Sequence, residues 1–150
     1  MLVGHGRLFG YGERTSCREV RGQRVLCSNR RRRGGCGRTF TLWLASVVPR
    51  LTVRAVTIFA LLAAMADGVP CARAWRAASC MTLRTGYRIK TRLALAGPAM
   101  RTALLSRAPP PTTSDPSPYA QLLAHLQAAL GPRIDSFSHY QLSFQRSVFE

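Results

Sequence analysis

The segment Val25–Phe40, VLCSNRRRRGGCGRTF, constrains the fold of this chain more than any other. It holds the densest positive charge in the sequence, a run of four arginines between two cysteines, Cys27 and Cys36. The glycine after the second cysteine, Gly37, lets the backbone turn tightly, so that backbone N–H groups can point at a thiolate sulfur. The pattern therefore predicts a tight corner at the cysteines, with a strand starting at the aromatic residue that ends the segment. The four arginines are Arg30, Arg31, Arg32 and Arg33.

Positive charge is concentrated in the first two thirds of the chain. The 150 residues include 22 basic and 6 acidic side chains, for a net charge of +16, and Lys90 is the single lysine. Residues 1–50 carry +9, residues 51–107 carry +8, and residues 108–150 carry −1. A GC-rich genome also favours arginine codons, but codon usage alone would not leave the last third neutral. The distribution favours a polyanion as the partner, with nucleic acid the most common case.

The first fifty residues predict strands. Residues 17–20 and 23–27 flank Arg21–Gly22 and predict a hairpin with its turn at the glycine. Residues 39–44, TFTLWL, are rich in β-branched and aromatic residues and predict a third strand. So small a sheet needs a metal or the following helices for stability. With those helices, the predicted fold class is α+β.

Three helices are predicted after Pro49. Thr52 is placed to cap the first, which would run to Ala66 and bury Val53, Val56, Phe59, Leu62, Ala63 and Ala66. Residues 71–78 predict a short second helix that buries Ala74 and Trp75, and Thr82 begins a third that should end near Leu95, before Gly97–Pro98. The first of these helices contains the longest uncharged apolar run, Val56–Ala66. It is too short for the about 20 residues that span a bilayer, so no membrane partner is expected.

The third helix has two contrasting faces. Its apolar positions recur every three or four residues, and its other face is strongly basic. The short helix, tight turn and basic helix match the plan of a helix-turn-helix, whose second helix enters the major groove of DNA. A solvated charged face is the alternative interpretation. The apolar positions are Leu83, Gly86, Ile89, Leu93 and Ala96, and the predicted DNA-facing positions are Arg84, Tyr87, Arg88, Thr91 and Arg92.

The last third of the chain differs in character. Residues 108–118, APPPTTSDPSP, predict a proline-rich linker. An apolar stripe at Tyr119, Leu122, Leu123, Leu126 and Leu130 then predicts a helix with almost no charge, suited to docking or to a homo-oligomer. The expected division is residues 1–48 for a ribbon-like unit, 49–107 for the helix-turn-helix-like unit, 108–118 for the linker and 119–150 for the C-terminal helix and tail.

A structural zinc site requires four ligands, usually in two close pairs. Cys27 and Cys36 form one pair, and no second pair follows from the sequence, since His5 and Cys17 have no close partner. Zinc is therefore predicted only as a weak, incomplete site, and buried free thiols are the alternative. No signal-peptide pattern opens the chain, which favours a reducing cytoplasm over a disulfide scaffold.

The cysteine segment resembles the second half of the zinc ribbon that opens many bacterial insertion-sequence transposases and transposase-like proteins. Residues 25–30 and the run Cys36-Gly37-Arg38-Thr39-Phe40 carry the resemblance. It implies a ribbon followed by a helix-turn-helix, and DNA binding in the bacterial nucleoid. The first Cys-x-x-Cys of that family is missing here, which a late start of the reading frame or a decayed gene would explain. The arginines expected to contact phosphates are Arg30, Arg31, Arg32, Arg33 and Arg38.

Catalysis is not expected from the sequence. Strand transfer by a transposase requires clustered carboxylates that hold two metal ions. The six acidic residues and three histidines are scattered, and no glycine-rich phosphate loop is present. The expected function is non-catalytic DNA binding. The other functions that the sequence leaves open are RNA binding, attachment to a membrane surface or targeting to an organelle, and no function at all in a decayed remnant.

Overall fold

The computed structural model describes residues 2–13, 18–29 and 34–149, and these residues form an α+β structure. The predicted fold class is confirmed. A three-stranded sheet comes first in the described chain, and five helices follow. The strands are β1 Leu2–Tyr11, β2 Arg18–Cys27 and β3 Thr39–Trp43; the helices are α1 Ala55–Ala66, α2 Cys71–Ala78, α3 Leu83–Leu104, α4 Pro118–Leu130 and α5 Ser136–Phe144.

The sheet is an antiparallel meander with β2 in the centre. The third strand is confirmed, but the hairpin expected around Arg21–Gly22 is wrong, because β2 runs through these residues. Arg21 is an extra residue in the pairing with β1, since Gly22 pairs with Leu8 and Val20 with Phe9. A Cβ on Gly22 would lie 2.4 Å from the carbonyl oxygen of Leu42. The glycine thus allows β2 and β3 to approach closely. The sequence pattern cannot distinguish a glycine needed for such an approach from a glycine needed for a turn.

Helix α1 lies at the centre of the helical core and contacts α2, α4 and α5. It begins at Ala55, not beside Thr52, and the predicted apolar face is partly wrong: Val56 is 41% exposed, while Ile58 and Leu61 are fully buried. The helix is apolar on nearly all sides because its neighbours surround it, so a single stripe is not defined by the sequence. The ring of Phe59 meets that of Phe137 on α5 edge to face, with centroids 5.7 Å apart.

Helix α3 continues nine residues beyond its predicted end near Leu95, because it runs through Gly97–Pro98 to Leu104. Proline inside a helix removes one backbone hydrogen bond and crowds the preceding turn. Here Met100 and Leu104 beyond the proline are buried in the core. Packing of these side chains outweighs the local preference to stop.

The C-terminal helices pack onto the rest of the chain. Leu122 and Leu126 of α4 are buried in the core shared with α1 and α3, and Tyr119, Leu123 and Leu130 are partly buried against it. The apolar stripe is thus largely covered within this chain. The homo-oligomer through this helix stays a prediction that the stripe no longer supports.

The sheet and the helices share few contacts, and a cluster of polar residues links them. This cluster, hereafter the joint, consists of Arg21, Glu19, Arg54, Glu13 and Thr57. Arg21 is 6% exposed; its guanidinium donates to the carbonyl oxygens of Tyr11, at 2.9 Å, and of Leu51 and Thr52 before α1. The Glu19 carboxylate forms an ion pair with Arg54. Its other oxygen lies 3.7 Å from a guanidinium nitrogen of Arg21, close enough for electrostatic attraction but too far for a hydrogen bond. The pKa of the Arg21 guanidinium is lowered from its ordinary value, because the effect of burial exceeds the opposing effect of the nearby Glu19 carboxylate.

Glu13, just after the end of β1, completes this joint. One carboxylate oxygen accepts from the backbone N–H of Arg54, and the other accepts from the Thr57 hydroxyl at 2.8 Å. A negative charge at the N-terminal end of α1 also interacts favourably with the helix dipole. The first turn of α1 contains no acidic residue of its own, so Glu13, which follows β1, supplies this negative charge.

Replacing Arg21 by methionine should destabilise the protein by about 2 kcal/mol, because buried carbonyl oxygens and Glu19 lose their charged partner. Urea unfolding measures the change. Arg24→Met on the same strand is the matched control, since Arg24 is exposed, and should unfold near the wild-type midpoint. Equal midpoints for the two variants would contradict the role assigned to Arg21.

Candidate nucleic-acid interface

A buried tryptophan fixes helix α3 against α2. Trp75 is fully buried, and its indole N–H donates to the carbonyl oxygens of Met81 and Thr82, at 3.1 and 3.0 Å, in the turn between the helices. Gly86 of α3 lies directly on the ring, where a Cβ would come within 2.5 Å of Trp75 Cγ. The absence of a side chain at Gly86 therefore lets the two helices meet closely. The predicted burial of Ala74 and Trp75 is confirmed.

The face of α3 that contains Gly86 is packed, and the opposite face is open to solvent. Ile89 and Leu93 are each 1% exposed, as the spacing predicts. All five predicted DNA-facing residues are exposed, and the fractional exposure of Tyr87 is 51%. These residues are Arg84, Tyr87, Arg88, Thr91 and Arg92, hereafter the α3 basic face.

The arginines of the α3 basic face have no carboxylate partner in the described part of the chain. Arg92 lies over the ring of Phe149, with its guanidinium carbon 5.8 Å from the ring centroid. The Thr91 hydroxyl donates to the carbonyl oxygen of Tyr87 at 3.1 Å. Arg84 and Arg88 therefore present their guanidinium groups to solvent without neutralisation.

The described acidic residues are placed elsewhere. Glu13 and Glu19 belong to the joint, and Asp67 caps the C-terminus of α1. Asp115 accepts from the backbone N–H of Ser117 at 2.7 Å, and Asp135 lies 3.3 Å from His139. Among the residues that the structure describes, none of these carboxylates forms an ion pair with the α3 basic face.

The cysteine corner has the predicted tight backbone. Cys27 N–H donates to Arg38 O and Gly37 N–H donates to Cys27 O, both at 2.9 Å, and Gly37 has a left-handed φ of +68°. The Cys36 N–H points at Cys27 Sγ, 3.4 Å away. This hydrogen bond and a second one from the Cys36 side chain lower the pKa of the Cys27 thiol.

A complete metal site does not follow from this corner. Among residues 2–13, 18–29 and 34–149, no group of three or more His, Cys, Asp and Glu side chains is placed to hold an ion. Cys27 and Cys36 are adjacent candidates, and Cys17 lies outside the described residues. The alternative of buried free thiols is half right for this pair: both are free, but Cys27 is half-buried and Cys36 is exposed, and among the described cysteines the buried one is Cys71. Zinc binding stays a prediction.

The predicted phosphate-binding residues are only partly described. Arg38 follows the corner and is exposed, as a phosphate contact requires. The other four belong to the connection between β2 and β3 and lie outside the described residues, so their contact with phosphates stays a prediction. These four are Arg30, Arg31, Arg32 and Arg33.

Sequence reasoning missed a polar group inside the helical unit. His125 on α4 is 1% exposed; its Nε2 lies 3.0 Å from the carbonyl oxygen of Ala108, and its Nδ1 has no hydrogen-bond partner within the described chain. It borders a cavity of about 360 Å³ between α3 and α4, beside Gly97, Arg101 and Tyr119. Ala108 is 17 residues away in sequence, so no local pattern signals the contact.

No protein-family model, curated protein or solved structure matches this chain. None of the described helices has both the length and the apolar character needed to cross a membrane.

Gly86→Ala should destabilise the protein by about 1–2 kcal/mol, because the clash with Trp75 exceeds the gain in helix propensity. Gly97→Ala on the same helix is the control: its Cβ would make an ordinary contact, 3.8 Å from Leu122 Cδ2. That variant should be neutral or more stable by up to about 1 kcal/mol. Urea denaturation compares the two, and a Gly86→Ala variant as stable as Gly97→Ala would contradict the close packing.

The Cys27 thiol should react with iodoacetamide at lower pH than an ordinary cysteine. A lowered pKa means that the reactive thiolate forms at lower pH, so the midpoint of the rate–pH profile moves down. Peptide-resolved mass spectrometry measures the profile in the folded protein and in urea. Cys36→Ser keeps the backbone donor, which is the main cause of the shift, and should retain most of it. Identical folded and unfolded midpoints would refute this assignment.

Proposed function

We propose that this protein is a non-catalytic DNA-binding protein in which α3 reads the major groove. The observation that carries the proposal is the α3 basic face: exposed arginines without carboxylate partners in the described chain, on a helix whose other face is locked against Trp75 and the core. A rigid helix with one packed and one cationic side is what insertion into a groove requires.

The order of elements supports the same function. Helix α2, the turn at residues 79–82 and α3 follow the helix-turn-helix plan, with the longer second helix carrying the cationic side chains. Arginine can donate two hydrogen bonds to O6 and N7 of guanine, and threonine can contact the thymine methyl group. In this assignment Arg84 and Arg88 contact base edges, and Tyr87, Thr91 and Arg92 contact bases or the adjoining backbone.

Further cations would hold the sugar–phosphate backbone. Five arginines surround the cysteine corner in sequence, where zinc bound by Cys27 and Cys36 with further ligands would stiffen the loop. Contacts from these arginines neutralise phosphates irrespective of base sequence and make the affinity depend on salt. The proposal corresponds to the DNA-binding region of a transposase, acting in the bacterial cytoplasm at the nucleoid. The five arginines are Arg30, Arg31, Arg32, Arg33 and Arg38.

Arg84→Gln/Arg88→Gln should strongly reduce the sequence preference on duplex DNA. The wild-type protein is first used to select a preferred site from random duplexes, and fluorescence anisotropy then measures affinity for that site and for a scrambled one. Each lost arginine–guanine pair is worth about 1–3 kcal/mol, so the ratio of the two affinities should fall tenfold or more.

Arg133→Gln/Arg146→Gln removes the same charge from the C-terminal region and should leave that ratio unchanged. If selection returns no preferred sequence, or if both double variants reduce the ratio equally, α3 does not read bases.

A further inference from the structure

The sheet exposes aromatic side chains that the α3 basic face does not use. Phe9, Tyr11 and Phe40 are 46%, 61% and 44% exposed. A sheet in water normally covers such residues or marks a binding site with them. Their position on the sheet indicates what they could bind.

The strand pairing places these three rings on one face. Every second position of β1 from 7 to 11 is occupied by Arg7, Phe9 and Tyr11, so the three side chains share a face. Arg7 pairs with Gln23, and two residues along β2 Val25 pairs with Phe40. Because positions two apart on a strand point the same way, Phe40 lies on this face as well.

Arginine side chains lie among these rings. Arg18 pairs with Tyr11, and its guanidinium carbon lies 5.8 Å from the centroid of the Phe9 ring. Arg7 and Arg18 are exposed and have no carboxylate partner in residues 2–13, 18–29 and 34–149. The five residues Arg7, Phe9, Tyr11, Arg18 and Phe40 are hereafter the aromatic face.

We propose that the aromatic face binds single-stranded nucleic acid. Exposed aromatic rings stack on unpaired bases, and adjacent arginines hold the phosphates between them. Duplex DNA keeps the faces of its bases inside the stack and cannot use these rings. The inference is independent of the function proposed for α3, because it concerns another element and an unpaired ligand.

The spacing of the rings fits a short extended strand. Phe9 and Tyr11 are two residues apart on one strand, which separates them by roughly 7 Å. Phe40 lies two strands away, roughly 10 Å to the side, and pairs through Val25 with the level of Gly4, so it is also roughly 15 Å from Phe9 along the strands. The face therefore offers two neighbouring stacking positions beside Arg7 and Arg18, and a separate third position toward the other end of the sheet. A segment of a few nucleotides would cover it.

Charge argues against a second copy of the same chain as the occupant. Two aromatic faces in contact would bring Arg7 and Arg18 of both copies together, and none of the described carboxylates pairs with either arginine. Each copy also carries a net charge of +16. A polyanion with exposed apolar rings complements this surface, whereas an identical surface does not.

The test compares Phe9→Leu/Tyr11→Leu with the wild-type protein. Leucine keeps apolar bulk but removes the stacking rings, and urea unfolding checks that the variant folds. Fluorescence anisotropy measures binding of a 12-nucleotide oligothymidine DNA, the matching oligouridine RNA and a 12-base-pair duplex. Affinity for the single strands should fall roughly tenfold or more, since stacking contributes about 1–3 kcal/mol per base, while duplex affinity stays within twofold.

Two controls separate this site from α3 and from the reverse side of the sheet. Arg84→Gln/Arg88→Gln should weaken duplex binding and leave oligothymidine binding within twofold. Val3→Ala/Trp43→Leu shortens one exposed apolar side chain and removes one exposed ring on the opposite face, and should leave single-strand binding unchanged.

Unchanged single-strand affinity in Phe9→Leu/Tyr11→Leu overturns the proposal. So does a dimer in sedimentation that this variant dissociates while single-strand affinity is kept, because the face would then be a protein interface. Unequal losses on oligothymidine and oligouridine, with both at least tenfold, support the site and identify the preferred sugar.

Discussion

The architecture depends on the buried guanidinium of Arg21. The sheet and the helices share few other contacts, and this one cation binds backbone oxygens of β1 and of the segment just before α1. Glu19 and Glu13 then tie the hairpin to Arg54 and Thr57 at the start of α1. A guanidinium suits such a joint because it keeps its charge and offers five donors in a fixed plane. Its removal would weaken the attachment of the sheet to the segment before α1, and with it the frame that holds the two proposed nucleic-acid surfaces.

A second constraint operates inside the helical unit, at the contact of Trp75 with Gly86. This contact orients α3 through its buried side and leaves Arg84 and Arg88 on the exposed side. The sheet is organised differently, because its small size leaves both faces partly uncovered and exposes rings as well as arginines. Cationic side chains thus occur on a rigid helix and on a flat sheet, two shapes that suit different forms of nucleic acid.

The sequence was informative where spacing along the chain decides the structure. The period of Gly86, Ile89 and Leu93 identified the packed face of α3, and Thr39–Trp43 was identified by its β-branched and aromatic content. It was misleading where residues distant in sequence determine the structure. Gly22 allows the close approach of a neighbouring strand, and helix α3 continues through Pro98 because Met100 and Leu104 beyond it are buried. The Arg21 joint could not be foreseen, because its partners lie ten and about thirty residues away and are backbone oxygens. The predicted exposure of the α3 basic face is confirmed, whereas its function stays a prediction.

The two-sided character of α3 has an evolutionary consequence. Residues that would select a nucleotide sequence project away from the protein, while those that maintain the fold are confined to the buried side. Exchanges at Arg84, Arg88 or Thr91 therefore carry little thermodynamic penalty. Under the proposed function, a lineage could drift from one target to another in single steps, without compensating changes in the interior.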